Sequence, residues 1–171
     1  MSETMHKKTK GSIAELAVAT RLLKEGWHVL LPYGENTRYD LIAEQNGRFV
    51  RIQVKYTTPK MGVLPVNCCS SNNWSVLQYT PEEIDVMAVY NSHDERIYFV
   101  PVTQLPKGHM KLRLDPPKNN QRVKVRYAAQ FTELHDGRGS YKVGTARTTL
   151  RTLLEEMDIR AGAGVVNRSS L

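Results

Sequence analysis

Apolar and polar residues alternate along residues 38–56, RYDLIAEQNGRFVRIQVKY, and this pattern predicts a β-hairpin. Asn46-Gly47 is the predicted turn, because a two-residue type I′ turn needs positive φ at both central positions. Gln45 then pairs with Arg48, and each further pair follows outward from the turn. One face of the hairpin is expected to contact the core; it carries Tyr39, Leu41, Ala43, Val50, Ile52 and Val54.

The opposite face of the predicted hairpin carries polar side chains at the end furthest from the turn. Asp40 lies directly opposite Gln53, and the Cβ atoms of such a pair are about 5 Å apart. Lys55 follows two residues later and therefore shares that face. Arg38 lies opposite Lys55 in this register. The pattern thus brings an acid, an amide and an amine together at one end of the hairpin.

The remaining pattern predicts one helix before the hairpin and several strands after it. The helix is expected to begin at Gly11, with Ser12 as its N-cap, after a frayed N-terminus, and to stop at Gly26. Its predicted apolar stripe is Ile13, Leu16, Ala17, Thr20 and Leu23. Short apolar runs predict strands within residues 27–33, 84–90, 96–102 and 110–114.

The segment between the hairpin and the next apolar run predicts a break in regular structure. Residues 57–80 are rich in Pro, Gly, Ser and Asn, which favours a long connection, and residues 80–83 (TPEE) predict a turn or a helix start. The order of helix, strand, hairpin and further strands indicates an α/β fold with a mixed sheet. We expect a domain over residues 11–135, followed over 136–171 by an extension with one helix and a disordered tail.

Charge and cysteine content narrow the function classes. The chain has 24 Lys+Arg against 17 Asp+Glu, a net charge of +7, which is compatible with a polyanionic partner. Cys68 and Cys69 are adjacent and have no other cysteine to pair with, which excludes a disulfide framework and a four-cysteine zinc site. No signal peptide and no apolar run of about 20 residues is present. We therefore expect a cytoplasmic protein without a membrane span.

The polar end of the hairpin has the residue types of a magnesium site. Mg²⁺ binds a few hard oxygen ligands and keeps several of its waters. Asp40 offers a carboxylate, Gln53 an amide oxygen, and Val54 a backbone carbonyl if the strand end is exposed. Lys55 would then lie beside a metal-bound water, where an ammonium can orient the nucleophile and stabilise charge that builds on a phosphate.

Glu15 lies within IAELAVA (13–19), a nearly apolar stretch of the predicted helix. A carboxylate at such a position needs a partner, because burying an unpaired charge is costly. It either pairs with an arginine such as Arg21 or Arg38, or it completes the acidic set of the metal site. The residue pattern alone leaves both interpretations open.

The order Glu15, Asp40, Gln53-x-Lys55 is similar to the motif of the PD-(D/E)XK nuclease superfamily. More closely, the segments PYGENTRYDLI, RIQVKYT, EEIDVMAVY, IYFVPV and LRLDPPKNNQ resemble the group I intron homing endonucleases of this type, which were first recognised in cyanobacterial introns and also use a Q-x-K motif. The resemblance covers roughly residues 11–135. Two departures stand out: RYD replaces the usual PD, and Gln53 replaces an acid, which lowers the negative charge around a metal.

The resemblance implies a restriction-endonuclease-like core, with a central mixed sheet flanked by helices. It implies catalytic roles for Glu15, Asp40, Gln53 and Lys55, with the metal held by Asp40, Gln53, Val54 and Glu15. It further implies cleavage of duplex DNA with Mg²⁺, or with Mn²⁺ as a substitute. A homo-oligomer, either a dimer or a tetramer, is implied as well.

Further residues are candidates for DNA contact. Arg38 either holds the scissile phosphate in bidentate fashion or simply caps the loop that enters the hairpin. Asn36 lies in the same loop. The basic segments 55–60 and 116–126 are expected to follow phosphates, although such runs are also common on solvated faces. The candidates there are Lys60, Lys118, Asn119, Asn120, Gln121 and Arg122, of which the two asparagines and the glutamine could read base edges.

Three functions remain open at this point. The first is a Mg²⁺-dependent DNA endonuclease, including a site-specific homing enzyme. The second is a structure-specific nuclease that resembles Holliday-junction resolvases. The third is a DNA-binding protein on a nuclease fold without activity, which would ignore magnesium and keep its DNA affinity when Asp40 or Lys55 is replaced.

Overall fold

The structure, a computed structural model, describes residues 5–34, 36–71, 76–115 and 125–135. These residues all lie in one compact unit, Met1–Arg138. The predicted DNA contacts at 118–122 and the predicted C-terminal extension lie outside the described residues.

In chain order the elements are α1 (Lys7–Lys24), β1 (His28–Leu30), β2 (Leu41–Gln45), β3 (Arg48–Thr57), β4 (Val63–Asn67), β5 (Cys69–Ser71), β6 (Val76–Gln78), β7 (Val86–Asn91), β8 (Ile97–Pro101), β9 (His109–Arg113) and β10 (Arg126–Tyr127).

A mixed sheet of five strands, in the order β1-β2-β3-β7-β8, forms the centre of the fold. β3 and β7 are parallel, and the other neighbours are antiparallel. The predicted hairpin is confirmed: Gln45 pairs with Arg48, and Asn46 and Gly47 have φ values of 54° and 74°. The predicted mixed sheet of an α/β fold is therefore confirmed, and the turn chemistry accounts for the register of β2 and β3.

Two apolar clusters cover the two faces of this sheet. Successive residues of β7 and β8 belong alternately to one cluster and the other, so both strands are buried along their whole length. The first cluster packs under α1. The second cluster includes β4 and β9, which with β10 form a three-stranded sheet in the order β10-β9-β4. The continuous apolar sequences of β7 and β8 are those of strands buried on both faces.

The helix differs from its prediction in both start and orientation. α1 begins at Lys7, where His6 is the N-cap, because the lysines before Gly11 are good helix formers. The predicted stripe is wrong in part: Ile13 and Ala17 do pack against the first cluster, but Leu16 and Leu23 are 68% and 59% exposed. The fully buried residues of the helix are Ala14, Val18 and Leu22. The sequence is apolar around most of the helix, so its pattern did not identify the face that contacts the sheet. Within the described chain, no helix is long and apolar enough to cross a membrane.

The predicted long connection over residues 57–80 is also wrong, because it contains β4, β5 and β6. β4 pairs antiparallel with β9, so that Leu64 lies opposite Leu112, while β5 and β6 pair with each other. The partner of β4 is far away in the sequence, and a local pattern rich in Pro and Gly could not reveal it. Residues 81–83 form a turn, in which Glu83 N donates to Thr80 O at 3.0 Å.

Candidate active site

The hairpin opens at Asp40, and this opening creates the site. The backbone pairing of β2 with β3 ends at Leu41 and Ile52, after which Asp40 N donates to Ile52 O at 2.9 Å. The next amide of β3 that faces β2 belongs to Val54, and it donates to Asp40 Oδ2 at 2.6 Å. A side-chain carboxylate thus takes the place of a strand carbonyl. β3 continues to Thr57 through its pairing with β7, so its β2 side is left to side chains.

Asp40 and Gln53 are in direct contact, as the register predicted. Gln53 Nε2 donates to Asp40 Oδ2 at 2.5 Å and to the carbonyl oxygen of Val54 at 3.3 Å. The amide nitrogen therefore bridges two of the oxygens that were predicted to bind a metal. Asp40 Oδ2 and the Val54 carbonyl oxygen both accept from this one nitrogen. A cation in the position of the nitrogen could therefore bind both oxygens. The oxygen of the Gln53 amide, rather than its nitrogen, is the atom that could join them as a ligand.

Glu15 lies close enough to Asp40 for the two carboxyl groups to affect each other. Burial and, next, the negative charge of Asp40 raise the pKa of Glu15. Burial also raises the pKa of Asp40, against the hydrogen bond from Val54, the charge of Lys55 and the hydrogen bond from Gln53, which all lower it. The arginines that were predicted as partners of Glu15 bind other acids: Arg21 pairs with Glu25, and Arg38 pairs with Glu83. α1 thus places the Glu15 carboxylate near the open end of the hairpin.

The donor set at this end suits a small hard cation. It consists of two carboxylates, Glu15 and Asp40, with the Val54 carbonyl and the Gln53 amide oxygen as neutral donors. Within the described residues no group of three or more His, Cys, Asp or Glu side chains could hold a metal ion, so the neutral oxygens are needed to complete the set. Oxygen ligands with only one or two carboxylates are typical of protein magnesium sites. Burial raises the pKa of both acids, and the charge of Asp40 adds to this for Glu15; a bound cation would offset both effects, because it favours the ionised carboxylates.

Lys55 reaches the same region from the face of β3 that carries Gln53. Its positive charge lowers the pKa of Asp40, which places the ammonium within electrostatic reach of the carboxylate. Its Nζ atom donates to Tyr79 Oη at 3.1 Å and lies 5.1 Å from the centroid of the Tyr79 ring. The ammonium is thus held between the acidic end of the site and the second apolar cluster.

The guanidinium of Arg38 is engaged by the protein itself. It donates to Glu83 Oε1 at 2.9 Å and Oε2 at 3.4 Å, to Ser70 Oγ at 2.5 Å, and to Gln78 O at 3.2 Å. Its Cζ atom also lies 4.7 Å from the centroid of the Tyr79 ring. The predicted phosphate contact of Arg38 stays a prediction, and it has to coexist with these bonds or replace some of them.

Other predicted residues lie around the site or outside the described chain. Asn36 is exposed in the loop before Asp40. Lys60 is exposed at the turn between β3 and β4, where it exchanges two backbone hydrogen bonds with Val63. Lys118, Asn119, Asn120, Gln121 and Arg122 lie outside the described residues. Their roles in DNA binding stay predictions.

The sequence analysis missed the residues that support Arg38 and Lys55. Ser70, Gln78 and Glu83 bind Arg38, and Tyr79 contacts both cations. Ser70, Gln78 and Tyr79 all lie in the segment that was predicted to be a connection. Tyr79 is only 6% exposed, and nothing in the spacing of the sequence indicates that it contacts Lys55. Tyr39 was predicted to lie on the core face of the hairpin. It packs instead against the second cluster, because it precedes the first residue of β2 and does not follow the alternation of that strand.

A helix packed on a mixed sheet, with an acid and a Q-x-K sequence at the open end of a hairpin, defines a nuclease-like architecture. A family model described as PD-(D/E)XK endonuclease matches residues 5–134, so this chain belongs to that family. The predicted resemblance and the restriction-endonuclease-like core are thereby confirmed. No curated protein matches the chain.

Two solved nuclease structures align with this chain. The bacterial homing endonuclease I-Ssp6803I aligns with a TM-score of 0.62 and 22% sequence identity, over 92% of this chain and 99% of that one. Hjc, a Holliday junction resolvase from Archaeoglobus fulgidus, aligns with a TM-score of 0.41 and 17% identity, over 61% of this chain and 84% of that one. At these identities the similarity to the homing endonuclease shows the fold alone.

Proposed function

We propose that this protein is a Mg²⁺-dependent endonuclease that hydrolyses phosphodiester bonds of duplex DNA, including site-specific cleavage of the homing type. The observation that carries the proposal is the convergence of three residues at the open end of the hairpin: Glu15 from α1, Asp40 from just before β2, and Lys55 from β3. Family membership supports it, because the family is named after an aspartate followed by an acid-x-lysine motif. Asp40 and Gln53-x-Lys55 match this motif except that Gln53 replaces the second acid.

The proposed roles follow from the chemistry of each group. Asp40, Glu15, the Gln53 amide oxygen and the Val54 carbonyl would hold the cation. When bound, the cation would supply an activated water and neutralise charge on the phosphate. Lys55 places its ammonium where it can orient the attacking water and stabilise the negative charge that develops on the phosphate oxygens. The hydrogen bonds from Val54 N and Gln53 Nε2 hold the Asp40 carboxylate in place before any substrate arrives.

The proposal extends to the DNA surface and to assembly. A net charge of +7 favours association with a polyanion, and Asn36, Lys60 and the segment 118–122 are the proposed contacts. A homo-oligomer with twofold symmetry would present two copies of the site to the two strands of a duplex. A cytoplasmic location, on the nucleoid when the protein is bound to DNA, belongs to the same proposal.

A plasmid library with random inserts tests the proposed activity. Wild type, Asp40→Ala and Lys55→Met are incubated with Mg²⁺, with Mn²⁺ or with EDTA, and the cut sites are mapped by sequencing. We expect metal-dependent cuts at discrete sites, and a loss of roughly a hundredfold or more in each variant. Asp94→Ala and Lys111→Met, which change the same residue types outside the site, serve as matched controls.

The same assay separates the competing functions. Four-way junctions of mixed sequence are offered beside linear duplex at equal concentration. Preferential cutting of the junction would identify a structure-specific nuclease and overturn the duplex proposal. Absence of cutting on both substrates, together with salt-sensitive DNA binding that Asp40→Ala leaves unchanged, would reduce the protein to a DNA-binding module.

A further inference from the structure

The position of the Lys55 ammonium depends on Tyr79. A lysine side chain is long and flexible, and its charged end usually remains in water. Here Nζ donates to the hydroxyl oxygen of Tyr79 at 3.1 Å and lies over its ring. Tyr79 itself is only 6% exposed and belongs to the second apolar cluster. The flexible ammonium is therefore attached to a rigid part of the core.

The Tyr79 ring is in turn contacted by Arg38, whose guanidinium is held by further polar groups. The Arg38 guanidinium lies 4.7 Å from the ring centroid, within the range of a cation–π interaction. Glu83 binds this guanidinium through both carboxylate oxygens, and its Oε2 also accepts from Thr80 N at 3.1 Å. A continuous series of contacts thus runs from the turn at Thr80–Glu83, through Arg38 and Tyr79, to Lys55.

We propose that Tyr79 is a positioning residue for Lys55, and that its hydroxyl holds the ammonium at the acidic end of the site during DNA cleavage. The inference rests on the endonuclease activity proposed above. A residue that only filled the core would not need the hydroxyl, and a buried tyrosine hydroxyl normally has a polar partner. Its partner here is the one amine of the Q-x-K motif. Loss of the hydroxyl should therefore lower the cleavage rate and leave DNA affinity unchanged.

Single-turnover cleavage of the plasmid substrate, with enzyme in excess, measures the effect on rate. Tyr79→Phe keeps the ring and removes the hydroxyl, and we expect the rate to fall about tenfold, the size expected for one lost hydrogen bond in the transition state. The Kd for the same DNA should stay the same. Tyr98→Phe, which removes a buried hydroxyl from the same cluster, should cleave at the wild-type rate. Wild-type cleavage by Tyr79→Phe would overturn the inference.

Nuclear magnetic resonance of the metal-free protein provides a readout that does not depend on activity. The ¹H–¹⁵N signal of the Lys55 ammonium is assigned by its loss in Lys55→Met, and its order parameter is measured. We expect a high value in wild type and Tyr98→Phe, and a clearly lower value in Tyr79→Phe. An unchanged value in Tyr79→Phe would disprove the attachment. If wild type cuts no DNA yet the signal behaves as expected, the proposed function fails while the attachment stands.

Arg38→Met tests the next contact in the series, because methionine keeps much of the side-chain length without the charge. If Arg38 acts through the Tyr79 ring, the cleavage rate and the Lys55 order parameter should both fall, by less than in Tyr79→Phe, at unchanged Kd. If the Kd weakens and its salt dependence becomes shallower while the order parameter stays constant, Arg38 contacts phosphate instead. That second outcome would remove Arg38 from the proposal.

Discussion

The two faces of β3 carry opposite chemistry over four consecutive residues. Ile52 and Val54 point into the cluster beneath α1 and are almost completely buried. Gln53 and Lys55 point to the other face, where their neighbours on β7, Met87 and Val89, are fully buried in the second cluster. Gln53 and Lys55 thus lie next to the buried second cluster and not on an open surface.

The reason for the difference is the early end of β2. On the first face the cluster beneath α1 buries Val50, Ile52 and Val54, and these positions are apolar. On the second face the small sheet covers β7 and β8, but the departure of β2 at Leu41 leaves the adjoining part of β3 to Asp40 and its contacts. The comparison shows that the site forms at the point where β2 ends and no longer pairs with β3. Half-burial then raises the pKa values of its acids, as is common at functional sites.

The largest expected effect on stability is on the apolar face. Ile52→Ala removes buried methyl groups from a fully buried side chain and should lower the free energy of unfolding by about 2–5 kcal/mol. Lys55→Met, on the opposite face, should lower it by only about 1 kcal/mol, the size of one lost hydrogen bond, here the bond to Tyr79 Oη. Urea denaturation of both variants measures the two values. Equal losses of unfolding free energy in the two variants would mean that the two faces of β3 contribute equally to stability, contrary to this prediction.

The next effect concerns the amide that replaces the usual acid. In Gln53→Glu a carboxylate faces Asp40 in place of the amide nitrogen, so the metal-free protein should be less stable. The added anionic ligand should raise Mn²⁺ affinity about tenfold, which corresponds to roughly 1.4 kcal/mol. Titration calorimetry measures the affinity directly. Gln104→Glu makes the same change at an exposed position and should leave the affinity unaltered; a similar gain there would point to a general charge effect.

A smaller effect is expected at the turn that sets the register of the two faces. Gly47 has a φ of 74°, and a Cβ there would be strained even though nothing lies within 4 Å of it. Gly47→Ala should therefore cost about 1 kcal/mol. Gly11→Ala, inside α1, should instead stabilise by a similar amount, because its Cβ would meet only Glu15 Oε1 at an ordinary 3.8 Å. Thermal unfolding of the pair tests whether the signs are opposite.

The smallest expected effect is a pH-dependent gain in the stability of the protein when Asp40 is replaced by Asn. The folded state holds the Asp40 proton more tightly than the unfolded state, because burial raises its pKa. The stability cost of ionising Asp40 therefore builds up as the pH rises from the ordinary pKa of 3.8 and is complete above the raised pKa. Asp40→Asn should raise the unfolding midpoint slightly at pH 7 in EDTA, and the gain should disappear as the pH falls through the raised pKa to the ordinary value of 3.8. A gain that grows at low pH would contradict this assignment.

Much of the site was predictable because its key contacts are local to one hairpin. Asn46 and Gly47 determine the turn, the turn determines the register, and the register places Asp40 beside Gln53. The metal-binding and catalytic roles assigned to these residues remain proposals, but the contact itself did not need the tertiary structure. The strands β7 and β8 were also predictable from their continuous apolar runs, and β9 from Met110 and Leu112, which alternate with polar residues.

By itself, the sequence determined the hairpin, its register and the residues that can carry the chemistry, since these depend on turn conformation and alternation over a few residues. Only the tertiary structure decided which face of α1 is buried, that β4 pairs with β9, and that Tyr79 meets both Arg38 and Lys55. Each of these depends on packing between segments far apart in the chain. Local pattern contains no information on such contacts, because the free energy that selects them comes from burial against a distant partner.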